Sequence, residues 1–290
     1  MNEKQNAIRF KNRKIIKVTG EEATDFLQVL ITTDVKQIKP QEIFPGALLS
    51  PQGKVIADFL IGKINGGYLI DIVASLADTF QKRLLLYKLH KKVEITQPLQ
   101  EMVTVLWNNE KEIDILDCDL SFIDKRFPQK EKILRAYGKT PFAVPEYNDT
   151  WNKLRIRYAI AESDEDYEIG KVFPHDINYD QIGGLAFNKG CYIGQEVISR
   201  MHHRRAARRR VLIVKSQHEL ALKSSVTAGT KVLGCLGTCS GNEALALMRI
   251  DHVKDAMNNN VTFTVENAPV TINIAENMNF TFPEDTVETN

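Results

Sequence analysis

The run Asn188-Lys189-Gly190-Cys191-Tyr192-Ile193-Gly194-Gln195-Glu196-Val197-Ile198 carries more chemical information than any other part of the chain. Two glycines within five residues let the backbone turn sharply or approach a ligand closely, and Gln195 to Arg200 reads as helical. This spacing sets Cys191 near a helix N-terminus, with exposed amide N–H groups, the positive dipole end and Lys189 close by. Its thiol pKa is therefore expected to fall below the free value of about 8.5. Such a thiolate is a nucleophile, a redox-sensitive group or a metal ligand. The plainer alternative makes Cys191 a small buried residue in a tight turn, as free cysteines often are. Lys189 and Glu196 are read as groups that hold a polar ligand, against the alternative of a solvated pair.

On the upstream side, Glu162, Asp164, Glu165, Asp166 and Glu168 form an acidic run. Residues 172–189, with Pro174, Gly183 and Gly184 and no clear period, read as an ordered loop. On the downstream side lie Arg200, His202, His203, Arg204, Arg205, Arg208, Arg209 and Arg210. Three readings of this cluster stay open: a solvated linker partly neutralised by the acidic run, a surface for an anionic ligand or acidic partner, or an RNA-binding surface. No aromatic residues interleave the arginines, so base stacking has no support. Beyond Arg210 the segments Val211 to Val214, Thr230 to Leu236, Ala244 to Ile250, Val261 to Glu266 and Pro269 to Ile274 read as short strands, the pattern of a small barrel.

The N-terminal half mixes periods. Alternating Ile8, Phe10, Ile15, Ile16 and Val18 read as strand, and Ala23 to Ile31 as a helix with Thr19 as its N-cap. Strands Ala47 to Ser50, Val55 to Ile64 and Tyr68 to Val73, joined by Pro51-Gln52-Gly53-Lys54 and Asn65-Gly66-Gly67, form an antiparallel meander. A helix over Ser75 to Lys92 is expected to bury Leu76, Phe80, Leu84, Tyr87 and Leu89. Further strands are read at Val93 to Thr96, Val103 to Leu106, Ile113 to Leu116 and Ile133 to Ala136, and a third helix starts with Asp149 as N-cap. Mixed rather than alternating elements indicate an α+β fold.

The chain has 290 residues, 38 Lys+Arg against 37 Asp+Glu, a net charge of +1 and four cysteines. This balance excludes a fibre or a disulfide-dense scaffold, and gives no general electrostatic case for nucleic-acid or membrane partners, although local patches escape it. Cys118, Cys191, Cys235 and Cys239 read as reduced thiols. Residues 1–14 lack the apolar stretch of a secretory signal, and no segment reaches the roughly 20 apolar residues of a membrane span. A cytoplasmic protein is expected. Cys235 and Cys239 read as core residues, the rings of His202 and His203 point apart on regular structure, and no resident metal site is expected.

Lys189 to Glu196, K-G-C-Y-I-G-Q-E, resembles the signature of the folate-binding YgfZ-type proteins and their mitochondrial iron–sulfur maturation relatives, themselves related to the glycine cleavage T-protein. Gly46-Ala47-Leu48-Leu49-Ser50-Pro51-Gln52-Gly53-Lys54 with Asp58-Phe59, Leu86 to Val93, Ala186-Phe187 and His202-His203 extend the resemblance over about residues 15–250. It implies a T-protein-like fold: two pseudo-related α/β domains and a C-terminal β-barrel around a central folate cleft. The expected divisions are residues 1–97, 98–208 and 209–276, with a flexible tail at 277–290. It implies a tetrahydrofolate-binding accessory protein that supports assembly or repair of iron–sulfur, especially four-iron, enzymes, among them radical-SAM tRNA-modifying clients. Cys191 is then the functional thiol, and Lys189, Gly190, Tyr192, Gly194, Gln195 and Glu196 the folate-contacting set. Partners would be folate and iron–sulfur assembly proteins or clients.

Departures from the T-protein pattern matter equally. Where T-proteins place an Asn at a strand end and a catalytic Asp in the next helix, this chain has Val73 and Phe80. Cys191 replaces an Asp, and Arg157 a further acidic residue. Aminomethyl transfer is therefore not expected, with Asp78 the remaining candidate acid. Folate-dependent aminomethyl transfer and RNA binding stand as the rival readings.

Overall fold

A computed structural model of the chain describes residues 6–107, 118, 120–139, 143–204 and 207–283. The strand expected at 113–116, Arg205 and the tail beyond 283 lie outside them. In order, the elements are β1 (Ala7–Phe10), β2 (Arg13–Thr19), α1 (Ala23–Gln28), β3 (Glu42–Leu49), β4 (Val55–Ile64), β5 (Gly67–Val73), α2 (Ala74–Lys88), β6 (Glu94–Ile95), β7 (Leu99–Gln100), β8 (Val103–Leu106), β9 (Leu120–Asp124) and β10 (Leu134–Tyr137). They are followed by α3 (Asp149–Arg157), α4 (Gln195–His203), β11 (Arg209–Ser216), β12 (Ser225–Ala228), β13 (Lys231–Ser240), β14 (Glu243–Arg249), α5 (Ile250–Asn258), β15 (Phe263–Val265) and β16 (Ala268–Asn273).

The chain forms two compact units. One comprises Met1–Trp151, Ile169–Pro174 and Ile182–Arg200; the other Asn152–Glu168, His175–Gln181 and Met201–Asn290. In the first, a ten-stranded sheet runs β1-β8-β10-β9-β3-β4-β5-β2-β6, with β7 also on β2. Strands from both sides of position 97 share this sheet: β8 lies between β1 and β10. The two-residue alternation of β2, β4 and β5 sends side chains to opposite faces. Ile16, Val18, Phe59, Ile61, Ile70 and Ile72 pack with α1 and α2, whereas Ile15, Leu60 and Leu69 join Val103, Phe122 and Tyr137 in a second core.

Several local expectations are corrected. Thr19 ends β2 and does not cap α1; Glu22 precedes that helix without a side-chain cap, its carboxylate accepting from Lys91 Nζ and the Lys92 amide. Asp149 is the first residue of α3, and Asn148 caps it through Oδ1, which accepts from the Thr150 amide at 3.0 Å. Helix α2 buries Ala77, Phe80, Gln81 and Leu84. Tyr87 and Leu89, expected inside, are exposed; Leu89 is the C-cap, past the last helical residue Lys88, and Tyr87 lies in the final turn on the side of Phe80 and Leu84.

Buried in β5, Asp71 is the electrostatic centre of the sheet. Its carboxylate accepts from Arg13 Nε and Arg135 Nε, both at 2.6 Å, and from the Tyr137 hydroxyl at 2.8 Å. Burial alone would raise its pKa; the two guanidiniums outweigh that and hold it down at about 2.

The second unit contains a closed barrel ordered β11-β14-β13-β12-β15-β16, filled by Leu212, Val214, Leu236, Ala246, Met248 and Ile272 among others. Two elements of this unit, the four-residue β12 and the helix α5 that follows β14 directly, are not among those expected from the sequence. Cys235, opposite Leu247, is exposed, whereas Cys239, beyond a register shift after Leu236, is half-buried against the barrel core. The expectation that Cys235 is a core residue is thereby corrected: it alternates with buried Leu236 and so faces outward, and the bulge beyond it puts Cys239 on the other face. Burial pushes the Cys239 thiol up to about 11.

Candidate functional site: the signature loop

In the first unit, residues 182–194 are tied down along their length. Thr32 is the central anchor: its hydroxyl donates to the Gly184 carbonyl at 2.6 Å and accepts from the Ala47 amide, and its own carbonyl accepts from the Ala186 amide. Lys189 continues the clamp, its Nζ donating to the carbonyls of Ile31 at 2.8 Å and Thr33 at 2.7 Å. Burial pulls the Lys189 pKa down to about 8, with nearby Asp34 opposing. Ile193 packs against the α1–α2 core. The Gln195 side chain turns back, its Oε1 accepting from the Tyr192 amide at 3.3 Å.

The two quoted glycine motifs meet in space. Gly194 has φ +80°, and a Cβ there would lie 2.7 Å from the Ser50 carbonyl oxygen and 3.2 Å from Gly53 Cα. Gly53, at φ +79° in the β3–β4 turn, would set a Cβ 3.2 Å from Val197 and Ile198. Backbone thus presses on backbone, and the hairpin tip orients the loop. Gly190 differs: its φ lies outside the left-handed region and a Cβ there would meet nothing within 4 Å. Gly194→Ala is therefore expected to cost about 2 kcal/mol from left-handed strain and overlap, while Gly190→Ala stays within about 0.5 kcal/mol. Urea denaturation of the two variants measures both.

What this held loop presents outward is Cys191. The thiol is exposed, so the reading of Cys191 as a small buried residue does not hold. Helix α4 begins at Gln195, so Cys191 precedes the helix by four residues. Tyr192, next to it, is 6% exposed. Its hydroxyl has no hydrogen-bond partner among the described residues, and burial raises its pKa. The Lys189 ammonium stands 5.2 Å from the centre of the Tyr192 ring. Glu196 points to solvent and pairs with Arg200 at 2.7 Å.

The residues read at the T-protein positions are two apolar and two charged ones. Val73 and Phe80 are buried, Phe80 with its ring 5.0 Å from that of Phe59. Asp78 is 67% exposed and pairs with Lys14. Arg157 is exposed at the end of α3, and the buried arginine of that helix is Arg155.

In the second unit, Arg155 takes up the acidic run, contacting Glu162, Glu165 and Asp166. Asp166 then accepts from the Thr238 amide, at a point where only Gly237 leaves room. Glu162, Glu165 and Asp166 thus serve Arg155, and Asp166 also the β13 bulge, whereas the linker reading had the acidic run partly neutralising the arginine cluster. Within that cluster Arg209 pairs with Asp176 and Arg210 with Asp180, while Arg204 and Arg208 are exposed. Buried His175, its ring centre 6.0 Å from that of His202, has its pKa lowered to about 4 by burial, with Asp180 opposing and Arg210 and His202 reinforcing. Sequence spacing offered no signal for Arg155, Asp71 or Thr32, whose partners are distant along the chain.

The family described as "CAF17, C-terminal beta-barrel domain" matches residues 208–280. The chain is 31% identical over 239 residues to a Coccidioides immitis (strain RS) protein named iron-sulfur cluster assembly factor IBA57 homolog, mitochondrial, covering 72% of this chain and 56% of that protein. It is 26% identical over 282 residues to the Homo sapiens iron-sulfur cluster assembly factor IBA57, mitochondrial, covering 85% and 78%. The chain spans about half the length of the fungal relatives it matches. Among solved structures, the glycine cleavage system aminomethyltransferase T from Bartonella henselae superposes with a TM-score of 0.60 at 11% identity, over 85% of this chain and 79% of that one. The T-protein-like α+β fold with its C-terminal barrel is thus present. These relatives carry the IBA57 name rather than that of the YgfZ-type proteins. The cytoplasmic expectation is corrected, since the relatives are named as mitochondrial.

Proposed function

We propose that the chain is an iron–sulfur cluster assembly factor that works through the Cys191 thiol. The observation that carries this reading is an exposed cysteine on a loop anchored by Thr32, Lys189 and the Gly53–Gly194 contact. The names of its relatives support the cluster role. Among the described residues no group of three or more His, Cys, Asp or Glu side chains is arranged to hold a metal ion. An iron centre reached by Cys191 therefore takes its other ligands from a partner protein or small molecule, and ligation releases the thiol proton. Four-iron enzymes, including radical-SAM tRNA-modifying proteins, are the proposed clients. The apolar Val73 and Phe80 argue against aminomethyl transfer.

A reduced folate is the second part of the proposal, supported by the likeness of fold alone. The signature residues do not fit a pterin cradle. Lys189 is engaged by two carbonyls, Gly194 is pressed on the hairpin turn, Gln195 closes on Tyr192, and Glu196 faces solvent beside Arg200. Among the buried side-chain atoms of this run, the Tyr192 hydroxyl is the one without a hydrogen-bond partner among the described residues. We therefore assign folate to the fold and not to these six residues. Titration with tetrahydrofolate should give saturable binding that Glu196→Gln leaves unchanged. Absence of saturation would remove folate from the proposal, and a large loss in Glu196→Gln would return it to the signature. For the cluster role, the chain should restore four-iron enzyme activity to cells that lack such an assembly factor.

A further inference from the structure

The end of α2 carries leucines that the fold does not use. Its buried side is complete with Ala77, Phe80, Gln81 and Leu84. Leu86 and Leu89 are 75% and 81% exposed, with Leu85 and Tyr87 partly exposed beside them. At the helical period Leu86 and Leu89 fall on the side away from Ala77 and Leu84, with Leu85 on the shoulder. Leu89 closes the helix at φ +46° and ψ −117°, a conformation that costs a residue with a Cβ. The chain thus bears strain to hold an apolar side chain in water.

Along its own sequence this turn carries charge of one sign, and Glu21 and Glu22 from the approach to α1 offset two of its lysines. No carboxylate occurs between Asp78 and Glu94, whereas Lys82, Arg83, Lys88, His90, Lys91 and Lys92 all do. Lys91 and Lys92 are paired with Glu22 and Glu21; Lys82, Arg83 and Lys88 have no ion pair among the described residues. The net charge of +1 conceals this local field.

We propose that the C-terminal turn of α2 docks on an anionic lipid bilayer, the leucines entering the acyl boundary and the cations meeting the head groups. A bilayer fits better than a protein. The patch covers little more than one helical turn, short of the roughly 800 Å² that each partner gives to a stable interface, and lysine is depleted at such interfaces. Protruding leucines beside Lys and Arg are instead the composition of interfacial membrane binding. The contact is peripheral, since no helix among the described residues is long and apolar enough to cross a membrane.

Co-sedimentation of the full chain with phosphatidylcholine vesicles containing about 30% phosphatidylserine tests this. Binding at low salt is expected, weakened at least about tenfold by Leu86→Ser with Leu89→Ser, and weakened also by Lys82→Glu with Arg83→Glu and by raised salt. Leu89→Gly, which the positive φ accepts without strain, removes the side chain while keeping the fold and should also bind less. No binding by the unaltered chain, or full binding by the double serine variant, overturns the proposal. So does loss of self-association or of a protein complex in Leu86→Ser without any vesicle binding, which assigns the patch to that partner.

Discussion

A Cys191→Ala chain is expected to keep its melting midpoint and yet fail to restore four-iron enzyme activity in cells that lack their own assembly factor. The side chain is exposed, so its truncation opens no cavity and should change stability by no more than about 0.5 kcal/mol. A lost cluster ligand or nucleophile, by contrast, should lower recovered activity at least about tenfold. Cys235→Ala is the control. Cys235 is exposed as well, but it belongs to strand β13 of the barrel, where its thiol donates to the Lys223 carbonyl at 3.1 Å. Exposure is thus matched between the two variants and only placement differs. Equal activity of the two variants, high or low, would refute the assignment of Cys191.

The largest stability effect is expected at Asp71. Asp71→Asn leaves Arg135, 2% exposed, and Arg13, 14% exposed, without their shared counter-charge. Removing one member of a buried ion cluster typically costs about 3–5 kcal/mol, which urea denaturation would show as a large fall in midpoint. The pH dependence gives an independent sign. Because the folded-state pKa is depressed from 3.8 to about 2, the carboxylate's contribution is fully present above its unfolded value and is lost as pH falls through the folded one. The unaltered chain should therefore lose stability between about pH 4 and 2 more steeply than Asp71→Asn. A combined Asp71→Leu and Arg135→Met change should recover part of the loss, since it removes the stranded charge as well. A midpoint in Asp71→Asn close to that of the unaltered chain would show that the cluster contributes little.

Much of the architecture is local in origin and hence legible along the chain. The meander of β3 to β5 follows from two-residue alternation broken by Gly-containing turns, and β4 falls on Val55–Ile64, as that alternation indicates. The barrel strands other than β12 announce themselves in the same way. Failures occur where a residue's fate depends on something remote. A bulge in β13 separates the faces of Cys235 and Cys239 and leaves Cys235 exposed. The acidic run, drawn by proximity in sequence toward the arginines after the signature, instead surrounds Arg155. Helix α2 reads as amphipathic with Tyr87 and Leu89 on its buried side, and only the packing of Ala77, Phe80 and Leu84 shows which apolar residues are left over.

The K-G-C-Y-I-G-Q-E run shows the same division within a single motif. Residue types and spacing alone identified a glycine-hinged segment entering a helix with one thiol beside a lysine, because backbone freedom and side-chain chemistry are properties of the residues themselves. Which of those groups face outward was settled only by tertiary packing. Ile31, Thr33 and the tip of a distant hairpin claim the Lys189 ammonium and the Gly194 backbone, and what they leave exposed is Cys191. A polar group spent on a partner more than 150 positions away along the chain leaves no trace in local sequence, since desolvation and hydrogen bonding act through space.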